Sequence, residues 1–185
     1  MSAVAPLVHH WTRIEYEHMV EAGVFAPGAR IELLDGEIIA MSPQEPQHVT
    51  ATQLVAEALR ERLPAGNLVR VQAPIALDDR SEPEPDICVV RGKDRDYARS
   101  HPSAALLVIE VSDSSLEQDR TVKARAYARN GIPEYWVVNV KERVIEVYTK
   151  PRAGGYGQVQ VLREQDDIAA ESIAGVRMAV ADVLP

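Results

Sequence analysis

Asp86 and Glu110 stand where a charge has least reason to be. Asp86 opens the run DICVV directly after Pro85, and Glu110 interrupts the apolar run LLVIEV at 106–111. Burying an ionised carboxylate costs several kcal/mol unless it is paired, hydrogen-bonded or metal-bound. Both runs are apolar at nearly every position, as in central strands covered on both faces, and each carboxylate lies near a strand end. Should the two strands be neighbours, the carboxylates converge, and like charges so close call for a cation between them. Oxygen-only ligands favour Mg²⁺ or Mn²⁺, and Mg²⁺ keeps waters free for a substrate phosphate. Taken singly, each acid also has a plain account. Asp86 can cap the turn after Pro85, and Glu110 can pair with an arginine.

Lys123 follows on the next predicted helix, with Asp119, Lys123 and Tyr127 at i, i+4 and i+8 along one face. A lysine beside a metal-bound phosphate can orient the attacking water or offset negative charge in the transition state. The same spacing suits an Asp119–Lys123 surface pair worth a few tenths of a kcal/mol, and spacing does not choose between them. Other catalytic patterns fail. Gly154-Gly155-x-Gly157 lacks the Lys-Ser/Thr of a phosphate loop. Cys88 lies inside an apolar strand and reads as core, and the five histidines show no zinc spacing. Ser112, Ser114 and Ser115 read as caps for the helix that follows.

The elements that must position these groups are legible. Thr12–Glu15 is a capping box opening a short helix, and RIELL-DG-EIIAM is a hairpin about Asp35-Gly36. A helix spans Pro46 to Arg62 and stops at Pro64 and Gly66. LVRVQ, PIAL, DICVV and ALLVIEV read as strands, residues 117–130 as a helix, and EYWVVN and RVIEVYT as two further strands. YGQVQVLR alternates like an edge strand, and the tail suggests one more strand pair. Strand, strand, helix, strand implies a mixed sheet between helices, an α/β layered domain.

The length of 185 residues suits one domain spanning 1–185, with residues 1–10 expected to be a loose terminus. No apolar stretch reaches the roughly 18 residues of a membrane span, and the start lacks a basic leader segment. With one cysteine, the expected setting is cytoplasmic, with no membrane partner. The net charge of −8 argues against a nonspecific nucleic-acid coat. It is uneven: residues 91–129 carry eight basic and six acidic side chains, +2, leaving −10 for the rest.

The ordered set PEPDICVV, LLVIEVSDSS and DRTVKARAYARNGIPEYWVVN resembles the PD-(D/E)XK nuclease superfamily, and within it the Uma-two type restriction endonucleases. EYEHMVEAGVFAPGARIELLDGEIIAMSP resembles that family's opening helix and hairpin, and His48 falls where its second helix begins. The likeness covers residues 11–185. It implies a restriction-endonuclease-like core and metal-dependent hydrolysis of DNA phosphodiesters, with Mg²⁺ or Mn²⁺ as cofactor. Asp86 then matches the aspartate of the P-D pair, Glu110 the acid of the (D/E)-x-K element, and Lys123 the relocated lysine, since Ser112 holds the usual lysine position. The implied metal ligands are Asp86, Glu110, the Val111 carbonyl and Glu32. The missing E-x-K lysine leaves an alternative, a weak or inactive nuclease-fold module that binds nucleic acid or a protein. Cutting both strands of DNA would favour a homodimer.

Overall fold

We describe residues 7–185 of a computed structural model of the chain; the first six positions of the expected loose terminus lie outside the described residues. The capping box forms as read: Thr12 precedes α1 (Arg13–Glu21), its side chain accepting from Glu15 N–H while Glu15 accepts from the Thr12 backbone. β1 (Ile31–Leu34) and β2 (Glu37–Ala40) are joined by Asp35-Gly36, both at positive φ, the two-residue turn that matches hairpin twist. Gly36 is required twice over, because a Cβ there would come within 2.7 Å of the His10 side chain.

α2 (Pro46–Arg62) follows, with proline at its first turn. The main sheet then takes up β3 (Asn67–Val71), β4 (Ile87–Arg91), β5 (Leu107–Ser112), β6 (Glu134–Asn139), β7 (Val144–Arg152) and β8 (Gly155–Arg163). Their order is β3-β4-β5-β6-β7-β8, so YGQVQVLR is indeed an edge. Every pairing is antiparallel except β5 with β6, which is parallel. A parallel pair needs a crossover, and the helical stretch after β5 supplies it. The tail adds the expected strand pair, β9 (Asp167–Ala169) with β10 (Arg177–Ala179). Among the described residues no helix is long and apolar enough to cross a membrane.

Period-2 alternation assigns each strand's side chains to opposite faces. One face holds Ile87, Val89, Leu107, Ile109, Val111, Trp136 and Val138 against α2 and the C-terminal segment. The other holds Cys88, Val90, Val108, Tyr135, Val137 and Tyr148 against the crossover. Cys88 is buried and unpaired, as expected of core.

Two expectations are corrected. PIAL is not a strand: Gln72 turns the chain out of β3 at φ +47, and Ile75 N–H and Ala76 N–H bond to the loop carbonyls of Pro83 and Pro102. Nor are residues 117–130 a plain α-helix. The crossover is α3 (Leu116–Gln118), a π-turn (Asp119–Lys123) and α4 (Ala124–Arg129) in one run.

Candidate active site

β4 and β5 are antiparallel neighbours with Ile87 opposite Ile109, which brings the start of β4 beside the C-terminal half of β5. Asp86 and Glu110 therefore meet at one end of the sheet, both buried. Backbone amides knit them together. Val111 N–H donates to Asp86 Oδ2 at 2.9 Å, and Asp86 N–H lies 3.4 Å from Glu110 Oε2. A strand residue's N–H and C=O point to the same edge, so the Val111 carbonyl also turns toward the space beyond β4.

Lys123 reaches this cluster. Its Nζ lies 3.0 Å from Glu110 Oε1 and 3.2 Å from Glu32 Oε1, and its side chain is only 7% exposed. The surface-pair account of Lys123 is overturned, because both Asp119 and Lys123 are buried. Asp119 instead accepts from the hydroxyls of Ser112 and Ser115, each at 2.6 Å. That also corrects the serines: Ser115 sits at the cap position but makes no side-chain cap bond. Glu32 lies on β1. It is buried, with Oε2 accepting from Glu84 N–H at 3.2 Å.

The buried groups here are four carboxyls (Glu32, Asp86, Glu110, Asp119) and one ammonium. Burial pushes the Glu110 pKa well above the usual carboxylate range, although Lys123 pulls it back. Burial likewise raises Asp119, against the hold of Lys123 and its two serines. Burial opposes the charge on Lys123, but facing Glu110 and Glu32 outweigh it and hold its pKa above the ordinary lysine value.

Three contributors escaped the site assignment from sequence. His48, placed only by resemblance, has Nε2 3.1 Å from Asp86 Oδ2. The Tyr127 hydroxyl donates to Glu110 Oε1 at 2.7 Å; its i+4 spacing from Lys123 was the available signal. Gln72 comes within 3.5 Å of Asp86 Oδ1, and only its backbone conformation places it there.

Glu32, His48, Asp86, Glu110, Asp119 and Lys123 line a cleft of about 60 Å³, with Met41, Pro43, Gln44, Asp113 and Ser114 also at its walls. That space admits a few waters or a partly hydrated ion. The donors suit a hard divalent cation, since they are oxygens and four carboxyls face one ammonium. Among the described residues no three His, Cys, Asp or Glu side chains already stand as a ligand group. An ion here would rest on two carboxylates, a backbone carbonyl and water.

A family profile described as "Putative restriction endonuclease", Uma2, matches residues 14–181. The chain belongs to the Uma2 family. It is also similar in fold to a crystal structure of a "putative nuclease belonging to DUF820" from Anabaena variabilis. The TM-score is 0.65 at 12% identity, covering 83% of this chain and 88% of that one. At that identity the likeness speaks for the fold alone, the restriction-endonuclease-like mixed sheet flanked by helices. No curated protein matches the sequence.

Proposed function

We propose that the cleft hydrolyses DNA phosphodiester bonds as an endonuclease dependent on Mg²⁺, with Mn²⁺ as a substitute. The observation that carries this reading is the meeting of Asp86, Glu110 and Lys123 at one sheet end in a chain of the Uma2 family. Asp86, Glu110 and the Val111 carbonyl would hold the ion. Glu32, the fourth proposed ligand, has its two oxygens engaged by Lys123 and by Glu84 N–H, so it would join only by releasing one of them. The chemistry such an ion supplies is polarisation of the scissile phosphate and acidification of a bound water.

The side chains divide the remaining work. Lys123 is held protonated, so it cannot take a proton from water; it donates hydrogen bonds and positive charge to the phosphate oxygens as charge builds in the transition state. His48 and Val111 N–H fix Asp86 from two sides, and Tyr127 fixes Glu110. The low-dielectric floor strengthens each of these contacts. The same reading places the chain in the cytoplasm as a homodimer with residues 1–185 acting as one domain.

Incubation of supercoiled plasmid with Mg²⁺ or Mn²⁺ tests the proposal. Wild-type protein should nick and linearise it, and Asp86→Ala and Lys123→Ala should not. Cleavage that persists in both variants sinks the mechanism. DNA binding without cleavage by wild type would assign the fold to its non-catalytic branch.

A further inference from the structure

Four of the six tyrosines cluster in one group on the site face of the sheet. Tyr135 lies at its centre, with ring centroids 5.0 Å from Tyr127, 5.4 Å from Tyr148 and 6.1 Å from Tyr156. Ordinary core packing would be served by phenylalanine, yet every hydroxyl in the group is engaged. Tyr127 donates to Glu110 Oε1 at 2.7 Å, the oxygen that also faces Lys123. Tyr135 donates to the Asp119 carbonyl at 3.1 Å, at the first residue of the π-turn. Tyr148 donates to Glu146 Oε2, and Glu146 in turn holds Arg120 of the π-turn. Tyr156 donates to the Ile132 carbonyl, just past α4.

Three hydroxyls thus brace the crossover from the sheet, Tyr135 directly and Tyr148 through Glu146 ahead of Lys123 and Tyr156 just past α4, while Tyr127 on the crossover reaches back to Glu110. The π-turn carries one residue more than an α-turn. Relaxing it to α geometry would swing everything on one side of it by about 100°. Lys123, at its last position, would be turned away from Glu110.

We propose that Tyr135 and Tyr127 are positioning residues: Tyr135 locks the π-turn, Tyr127 clamps Glu110, and together they set the Lys123–Glu110 contact in place of the absent E-x-K lysine. The proposal rests on the nuclease reading for its catalytic meaning, but the contact itself is measurable without any substrate.

The test uses Tyr127→Phe, Tyr135→Phe and the double variant, each checked for native circular dichroism. Acetic anhydride labelling with peptide mass spectrometry reads Lys123 against the exposed Lys93, Lys141 and Lys150 as internal controls. Labelling of Lys123 alone should rise several-fold, most in the double variant. With plasmid and Mn²⁺, kcat should fall on the order of tenfold or more with KM unchanged, as expected for misplacement of a group that acts in the transition state. Unchanged Lys123 labelling in folded variants overturns the proposal, as does an equal rise at all four lysines. Wild-type protein that cuts no DNA would sink the nuclease reading, and the labelling would still decide the positioning one.

Discussion

The two faces of the central sheet are built from the same strands and by different chemistry. Against α2 the sheet presents branched aliphatic side chains, and its one buried charge, Glu134, is occupied by Trp136 Nε1 at 2.7 Å and Ser172 N–H at 2.8 Å. Against the crossover, the alternate residues present Asp86, Glu110, Ser112, Tyr135 and Tyr148. Apolar burial, worth about 25 cal/mol per Å², holds the first face and fixes register for both. The second face carries a surplus of carboxyls that contributes little to folding. One face is almost wholly apolar; the other joins an apolar cluster to the carboxyls.

The contrast can be broken most forcefully at the carboxylates. Asp86→Asn should reduce plasmid cleavage on the order of a thousandfold, several kcal/mol of transition-state stabilisation, while urea denaturation shows the fold undiminished because like charges have been diluted. Lys123→Met should lose roughly a hundred- to a thousandfold in kcat. It should also lose about 3–5 kcal/mol of stability, since Glu110 and Glu32 are left without their cation. On the aliphatic face, Ile109→Ala should cost about 2–5 kcal/mol by the same denaturation assay, with kcat nearly intact at temperatures where it is folded.

Glu82 sharpens the comparison, as a buried carboxyl without a lysine. Burial, reinforced by the neighbouring Glu17 carboxyl, pushes its pKa from 4.5 up to about 7. The folded chain then holds a proton that the unfolded chain gives up. Stability should fall as pH rises from about 4.5 to about 7, by about 2–3 kcal/mol, and stay low above that. In Glu82→Gln this portion of the decline should vanish from denaturation midpoints measured across the window. The smallest effect belongs to the exposed edge: Val159→Thr should change stability by less than about 0.5 kcal/mol and leave cleavage alone.

Much of this was readable from residue order. The hairpin, α2, the central strands and the edge strand follow from turn chemistry and apolar runs. The pairing of Asp86 with Glu110 follows once β4 and β5 are adjacent. What was not readable has a physical cause in each instance. DRTVKARAYA contains no glycine or proline to mark the π-turn, because its stabilising partner, Tyr135, sits on another strand. PIAL looks like a strand because its apolar residues are buried, yet its amides are satisfied by loop carbonyls that local sequence does not encode. The burial of Asp119 depends on hydroxyls from Ser112 and Ser115, which read equally well as caps.

The place of Lys123 on the crossover rather than on β5 beside Glu110 has a consequence for the order in which the chain is made. An E-x-K lysine would arrive with its own glutamate, two residues later on one strand. Here the cation depends on a π-turn held by Tyr135 and braced through Tyr148 and Tyr156, all downstream of it. A chain emerging in sequence has Glu32, Asp86 and Glu110 long before it has the hairpin that steadies their counter-charge. Until residue 156 is in place, the crossover that carries Lys123 lacks its last tyrosine contact. A fragment that ends before β8 lacks Tyr156 and with it the brace beyond α4.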